Sequence, residues 1–132
     1  MKMKLPNAVY IGHVAVFYVP IKKLDMVVED EFPYRSQVRD GSFVDLTVRS
    51  LLHNYFVQNF NAYTHEVSNI QGYWMDKDLL VRDEHERYEV SFTGREKVKE
   101  FVNFLSELCS LIKEDSIYLT MGYKSWLVVP PS

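Results

Sequence analysis

The sequence predicts an α+β domain in which two helices cover one face of a four-stranded antiparallel sheet. Two segments carry apolar side chains at helical spacing, and four segments are rich in β-branched and aromatic residues. The order of these segments is β-α-β-β-α-β. A chain of 132 residues, 47% of them hydrophobic, suits a single domain spanning residues 1–132.

The first predicted strand covers residues 8–19, AVYIGHVAVFYV, and ends at Pro20. Both of its alternating sets are largely apolar, as in a strand at the centre of a sheet. Residues 20–41 then form a long irregular insertion, whereas a strand-to-helix connection usually takes about 2–6 residues. The stretch 21–41 is either a lid over the sheet end or an added structural element on the domain edge, and we prefer the second interpretation.

The first predicted helix begins at Ser42, because Ser42 and Asp45 have the spacing of a capping box. One apolar stripe follows at helical spacing, formed by Val44, Val48, Leu51, Leu52 and Tyr55. The second helix begins near Thr93, and its apolar face runs over residues 98–112. These two stripes predict that both helices pack on the same layer of strands.

Residues 62–75 and 79–92 have the composition of two strands joined by a polar turn, and residues 116–129 have that of a single last strand. With right-handed crossovers, the four strands take the spatial order 4-1-3-2. This is the split βαβ, or ferredoxin-like, arrangement.

The hairpin register decides which side chains face water. A turn centred on Lys77-Asp78 places Tyr88 opposite Val67, and it turns Tyr88, Val90 and Phe92 toward the helices. In the charged stretch RDEHERYEV, Glu84 and Glu86 then lie on the helix side, in a part of the hairpin that we expect to be solvated. Asp83, His85 and Arg87 lie on the open side. Alternation prevents neighbouring acidic and histidine side chains from converging on one ion, so we predict no metal site and no cofactor.

The open face of the sheet carries more apolar surface than a solvated face needs. Its predicted members are Trp74, Ile70, Val81, Tyr118 and Trp126. Such a patch marks a partner or a ligand. We therefore expect a self-associating interaction or ligand-binding module that forms a homodimer by sheet-to-sheet packing and binds a small ligand or a protein partner.

An alternative function is a small enzyme of the dimeric ferredoxin-like type, with a pocket on the sheet face. No catalytic residue is predicted outright, and the candidates for this alternative are His85, Asp83, His13 and Tyr118. They form an acid–base constellation only if His13, whose face is ambiguous, points to the open side. Of the other histidines, His53 is expected in water and His65 in the core with a hydrogen bond.

Composition disfavours several functional classes. A net charge of −3 argues against binding nucleic acid through its phosphates. No run approaches the roughly 20 apolar residues of a membrane span, so no membrane partner is expected. The single cysteine, Cys109, cannot form an internal disulfide, which suits a reducing compartment and predicts a cytoplasmic protein.

The hairpin sequence also resembles that of known proteins. The run Gly72-Tyr73-Trp74-Met75-Asp76-Lys77, followed by Leu80-Val81-Arg82-Asp83-Glu84, resembles a hairpin of small uncharacterised bacterial proteins, including cyanobacterial ones. There a Gly-x-Trp precedes a polar turn and an acidic residue follows. The resemblance extends over residues 43–129 and implies a ferredoxin-like fold, but it brings no activity and no site residues. Lys77-Asp78 stands where that turn usually has a glycine.

Overall fold

The computed structural model describes residues 5–35 and 46–132, which form two α-helices and one antiparallel sheet. The helices are α1, Val48–Asn59, and α2, Arg95–Leu111. The strands are β1, His13–Pro20; β2, Ala62–Asp76; β3, Leu79–Phe92; β4, Ile117–Met121; and β5, Lys124–Val128. The chain is therefore an α+β protein, as predicted.

The start of α1 differs from the predicted one. The expected cap residues Ser42 and Asp45 lie outside the described residues. Thr47 is the N-cap, and its hydroxyl accepts a hydrogen bond from the backbone N–H of Ser50 at 3.3 Å. This bond satisfies one of the N–H groups that a helix N-terminus leaves without an intrahelical partner.

In the described residues, the sheet has five strands in the order β2-β3-β1-β4-β5, and each neighbouring pair is antiparallel. The predicted adjacency of the first four strands is confirmed, but the predicted number of strands is wrong. Residues 116–129 form a hairpin instead of one strand, with a turn at Gly122 and Tyr123. Gly122 has φ +61°, a left-handed conformation that glycine adopts at no steric cost.

Both helices cover one face of the sheet, as predicted. Phe17 of β1 contacts Phe56 of α1 and Phe101 of α2, with ring centroids 5.7 Å apart in each pair. Phe17 also lies opposite Tyr88 of β3, and the two rings stack at 5.2 Å. Because residues directly opposite each other share a face, Phe17 and Tyr88 define the buried side of the sheet.

The predicted faces of the β2–β3 hairpin are confirmed. Tyr88, Val90 and Phe92 are buried against the helices. Near the turn the predicted pairing also holds, since Trp74 lies opposite Val81 and Ile70 opposite His85.

Further from the turn the predicted pairing of the hairpin is wrong. An irregularity between Glu66 and Ile70 shifts the register, and Tyr88 lies opposite His65 rather than Val67. The shift is by two residues. An even shift leaves the paired side chains on their original faces, so the predicted faces of Tyr88, Val90 and Phe92 survive a wrong register.

The described part of the insertion adds to the core. Residues Ile21–Lys23 form a short 3-10 helix, and an isolated bridge joins Val27 to Thr47 beside α1. Three apolar side chains of this segment are buried: Leu24, Val28 and Phe32. Buried apolar side chains are expected of an added structural element on the domain edge. The described residues 21–35 therefore favour that interpretation over a lid.

Candidate binding groove on the open sheet face

A groove of about 630 Å³ lies on the sheet face that the helices do not cover. Tyr18 lines it, and Tyr18 must face away from the helices because its neighbour Phe17 faces them. Residues from all five strands and from one loop contribute to its walls. Among them are Ile70 and Trp74 of β2, Asp83 and His85 of β3, Tyr118 of β4, and residues 114–116 before β4.

A row of aromatic rings crosses three adjacent strands in this groove. Tyr18 of β1 meets His85 of β3 edge-on, with ring centroids 6.5 Å apart and planes at 85°. On its other side, Tyr18 stacks with Tyr118 of β4 at 6.1 Å and 29°. Tyr118 is 46% exposed, so this end of the row is open to solvent and to a ligand.

Gly72 makes room for the imidazole of His85. A Cβ atom at Gly72 would lie 2.9 Å from Cε1 and 3.0 Å from Nδ1 of that ring, closer than van der Waals contact permits. Gly72 was named only as part of the Gly-x-Trp of the hairpin resemblance, and its contact with His85 was not predicted. A glycine in the interior of a strand is the signal that could have identified it, because such a glycine often marks a close approach.

The charged side chains that line the groove are all acidic. They are Asp83, Glu114 and Asp115, and within the described residues no lysine or arginine lines it with them. Nζ of Lys22 lies 3.7 Å from Oδ2 of Asp83, and Nζ of Lys23 lies 3.9 Å from Oε1 of Glu114. The groove is therefore lined by three carboxylates, and the lysines that pair with two of them lie outside its walls.

Trp126 is not on the open face, and this prediction is wrong. Trp126 lies opposite Leu119, which is buried beneath the helices. It lines a second groove of about 560 Å³ together with Val98 and Val102 of α2. The turn at Gly122 reverses the chain and places Leu127, instead of Trp126, opposite Tyr118.

His13 does not join the other candidates for acid–base chemistry. It lies opposite Phe92 on the helix side, with the two rings 6.0 Å apart. The β1 residue opposite His85 is Pro20, at the far end of the strand. The structure thus brings Asp83, His85 and Tyr118 to one groove and leaves His13 out. Val81, the remaining predicted member, lies beside the groove opposite Trp74.

A buried ionic cluster lies on the helix side of the same strands. Oε1 of Glu86 accepts a hydrogen bond from Nη1 of Arg49 at 2.7 Å and lies 2.6 Å from Nε2 of His65. Glu86 is buried, so its expected solvation is wrong. The predicted hydrogen bond of His65 is confirmed, but His65 is only partly buried, with its side chain 18% exposed. Burial alone would raise the pKa of Glu86, but the hydrogen bonds from Arg49 and His65 outweigh it and hold that pKa below its ordinary value.

Tyr88 completes this cluster. The imidazole of His65 stacks on its ring at 4.2 Å and 9°. Its hydroxyl is buried and has no hydrogen-bond partner within the described residues. Burial raises the pKa of Tyr88 well above that of an exposed tyrosine, so the phenol stays neutral.

Within residues 5–35 and 46–132, no group of three or more His, Cys, Asp or Glu side chains could hold a metal ion. In the same part of the chain, no helix is long and apolar enough to cross a membrane. Comparison with protein-family models, with curated proteins and with solved structures finds no match. Function is therefore inferred from the groove itself.

Proposed function

We propose that this chain is a non-enzymatic binding module whose ligand occupies the open-face groove. The observation that carries the proposal is the aromatic row of His85, Tyr18 and Tyr118 along the groove wall. Its volume of about 630 Å³ is within the range of about 300–1,000 Å³ that small-molecule sites occupy. A contiguous row of partly exposed rings on a sheet face indicates a binding surface rather than a simple contact with solvent.

The contacts of Asp83 favour binding over the alternative of a small enzyme. Its Oδ1 accepts a hydrogen bond from the backbone N–H of Glu84 at 3.0 Å, and its Oδ2 lies 3.7 Å from Nζ of Lys22. A histidine that acts as a general base is often oriented by a third group such as a carboxylate. Neither of these contacts joins Asp83 to His85, which supports a recognition role for His85.

Trp74 offers a direct test, because it lines the groove while the second tryptophan, Trp126, does not. In Trp126→Phe, the fluorescence of Trp74 would be followed against a panel of small neutral, anionic and cationic compounds. At least one class should change the emission with saturation. The change should disappear in Gly72→Val, whose side chain would fill space at the groove wall beside the His85 ring. A panel without any saturable change would contradict the proposal.

Self-association is a second candidate, favoured by the apolar end of the β2–β3 hairpin. Large exposed apolar side chains lie there on both faces: Tyr73, Trp74, Met75, Leu79 and Leu80. A second copy of the chain could cover the two on the open face, Trp74 and Leu79, by two-fold packing of the open faces. Light scattering should then give a dimer that Trp74→Glu dissociates. Tyr123→Glu, at an exposed turn elsewhere in the sheet, should leave it intact. A monomer at high micromolar concentration would contradict this candidate.

We also propose a ferredoxin-like classification and a cytoplasmic location. The order of β1 to β4 and the placement of both helices on one face support the first, with β5 as an added edge strand. The single cysteine supports the second. Nucleic acid is not a proposed partner, because carboxylates line the groove and would repel phosphate. Retention of RNA in a filter-binding assay at low salt would contradict this.

A further inference from the structure

We infer that the open-face groove selects a small organic cation, with an ammonium or guanidinium group on a short hydrocarbon body. This inference rests on the proposed function and names the chemical class of the ligand. It depends on two independent features of the same groove. One is the charge of its walls, and the other is the aromatic surface between them.

The charge of the groove complements a cation. Asp83, Glu114 and Asp115 line it, and within the described residues no ion pair reaches Asp115. The Lys22 side chain that pairs with Asp83 is 66% exposed, and such a surface pair contributes little and is readily exchanged. A cation in the groove therefore gains attraction from carboxylates, whereas an anion meets repulsion.

The aromatic surface complements the same group. Tyr18, Tyr118 and Trp74 present ring surface to the groove, and an ammonium or guanidinium above a tyrosine or tryptophan ring is attracted by the negative face of the ring. A cation with an apolar body is attracted by the carboxylates and by the ring faces, and its hydrocarbon part also packs against the rings. A neutral ligand of the same shape gains the apolar contacts alone.

The size of the groove favours a free small molecule as the occupant. A volume of about 630 Å³ is typical of small-molecule sites, and the side chains around it come from strands and from one short loop. Strand positions hold the aromatic rings and Asp83 in place before binding. Less conformational entropy is then lost when the ligand binds.

The experiment uses the full chain with Trp126→Phe, so that Trp74 is the only tryptophan. The probes are choline, agmatine and 3,3-dimethyl-1-butanol, the neutral isostere of choline. We expect a saturable change of Trp74 emission with choline or agmatine, and binding of the isostere at least about fivefold weaker. Trp74→Phe, which retains only Trp126 on the other face, should show no change.

Two variants separate the contributions of charge and ring. Asp115→Asn and Tyr118→Leu should each weaken cation binding about fivefold. Glu96→Gln in α2, an exposed carboxylate on the other side of the sheet, should bind as the parent does. Circular dichroism of each variant confirms that it is folded.

The outcomes distinguish this inference from the proposed function. Equal binding of choline and its isostere, or unchanged binding by Asp115→Asn, overturns the selection of cations and leaves a binding groove. Binding confined to the neutral or anionic compounds of the panel also overturns the selection of cations and leaves a binding groove. The absence of any saturable change, with cations or with the rest of the panel, overturns both.

Discussion

Arg49 of α1 and Glu86 of β3 are joined by a hydrogen-bonded ion pair of 2.7 Å, although 37 positions separate them in the chain. The pair links a helix to the central part of the sheet on the buried side. The same oxygen of Glu86 lies 2.6 Å from His65 of β2. One carboxylate thus connects three elements, and this arrangement has consequences for stability.

Glu86→Gln should lower the free energy of unfolding by about 1–3 kcal/mol, because Arg49 and His65 lose a charged acceptor. Urea unfolding measures the change. Glu84→Gln is the matched control, since Glu84 is an exposed residue on the same side of the same strand. The control should change stability by less than about 0.5 kcal/mol. Equal effects of both substitutions would show that the cluster contributes no stability.

The contribution of Glu86 should depend on pH. Its folded-state pKa is below the ordinary value of 4.5, so its ionised form is stabilised by folding. That contribution is fully present above pH 4.5 and is lost as the pH falls through the lower, folded-state pKa. Urea unfolding of the parent and of Glu86→Gln from neutral to acid pH should give curves that converge on the acid side. A constant difference down to the lowest pH would contradict this prediction.

Gly72→Ala should lower stability by about 0.5–1.5 kcal/mol, because the new Cβ would lie 2.9 Å from Cε1 of His85 and would force the ring out of its rotamer. The cause is steric, so removing the imidazole ring of His85 should remove the loss of stability. In a His85→Ala background, Gly72→Ala should be neutral or stabilising, since alanine is better than glycine inside a strand. A double-mutant cycle measures this coupling. Additive effects of the two substitutions would mean that the contact is not what restrains position 72.

Cys109 should react slowly with alkylating reagents while the protein is folded. Burial raises the pKa of its thiol to about 11, and the thiolate is the reactive form. The Sγ atom also donates a hydrogen bond to the backbone oxygen of Glu114 at 3.1 Å. Mass spectrometry after iodoacetamide treatment at pH 8 should find the native protein unmodified and the urea-unfolded protein fully alkylated. Rapid labelling of the native protein would contradict this burial.

The groove was predictable in part. Strict alternation along the hairpin placed Trp74 and His85 on the open face and Tyr88 on the buried face. That placement held even though the pairing near Tyr88 was wrong, since the shift is an even number of residues. The aromatic row was not predictable, because it brings together rings from three strands that are distant in the chain.

Local pattern in this sequence determined the two amphipathic helices, the order of the first four strands and the faces of the hairpin. The helices and the hairpin faces follow from periodicity within one segment, and the strand order follows from the sequence of elements with right-handed crossovers. Tertiary structure decided where Trp126 and His13 point, that His85 packs over Gly72, and that Glu86 is buried with Arg49. A turn within an apolar run reverses the chain without altering its composition, and contacts between distant segments leave no periodic signal.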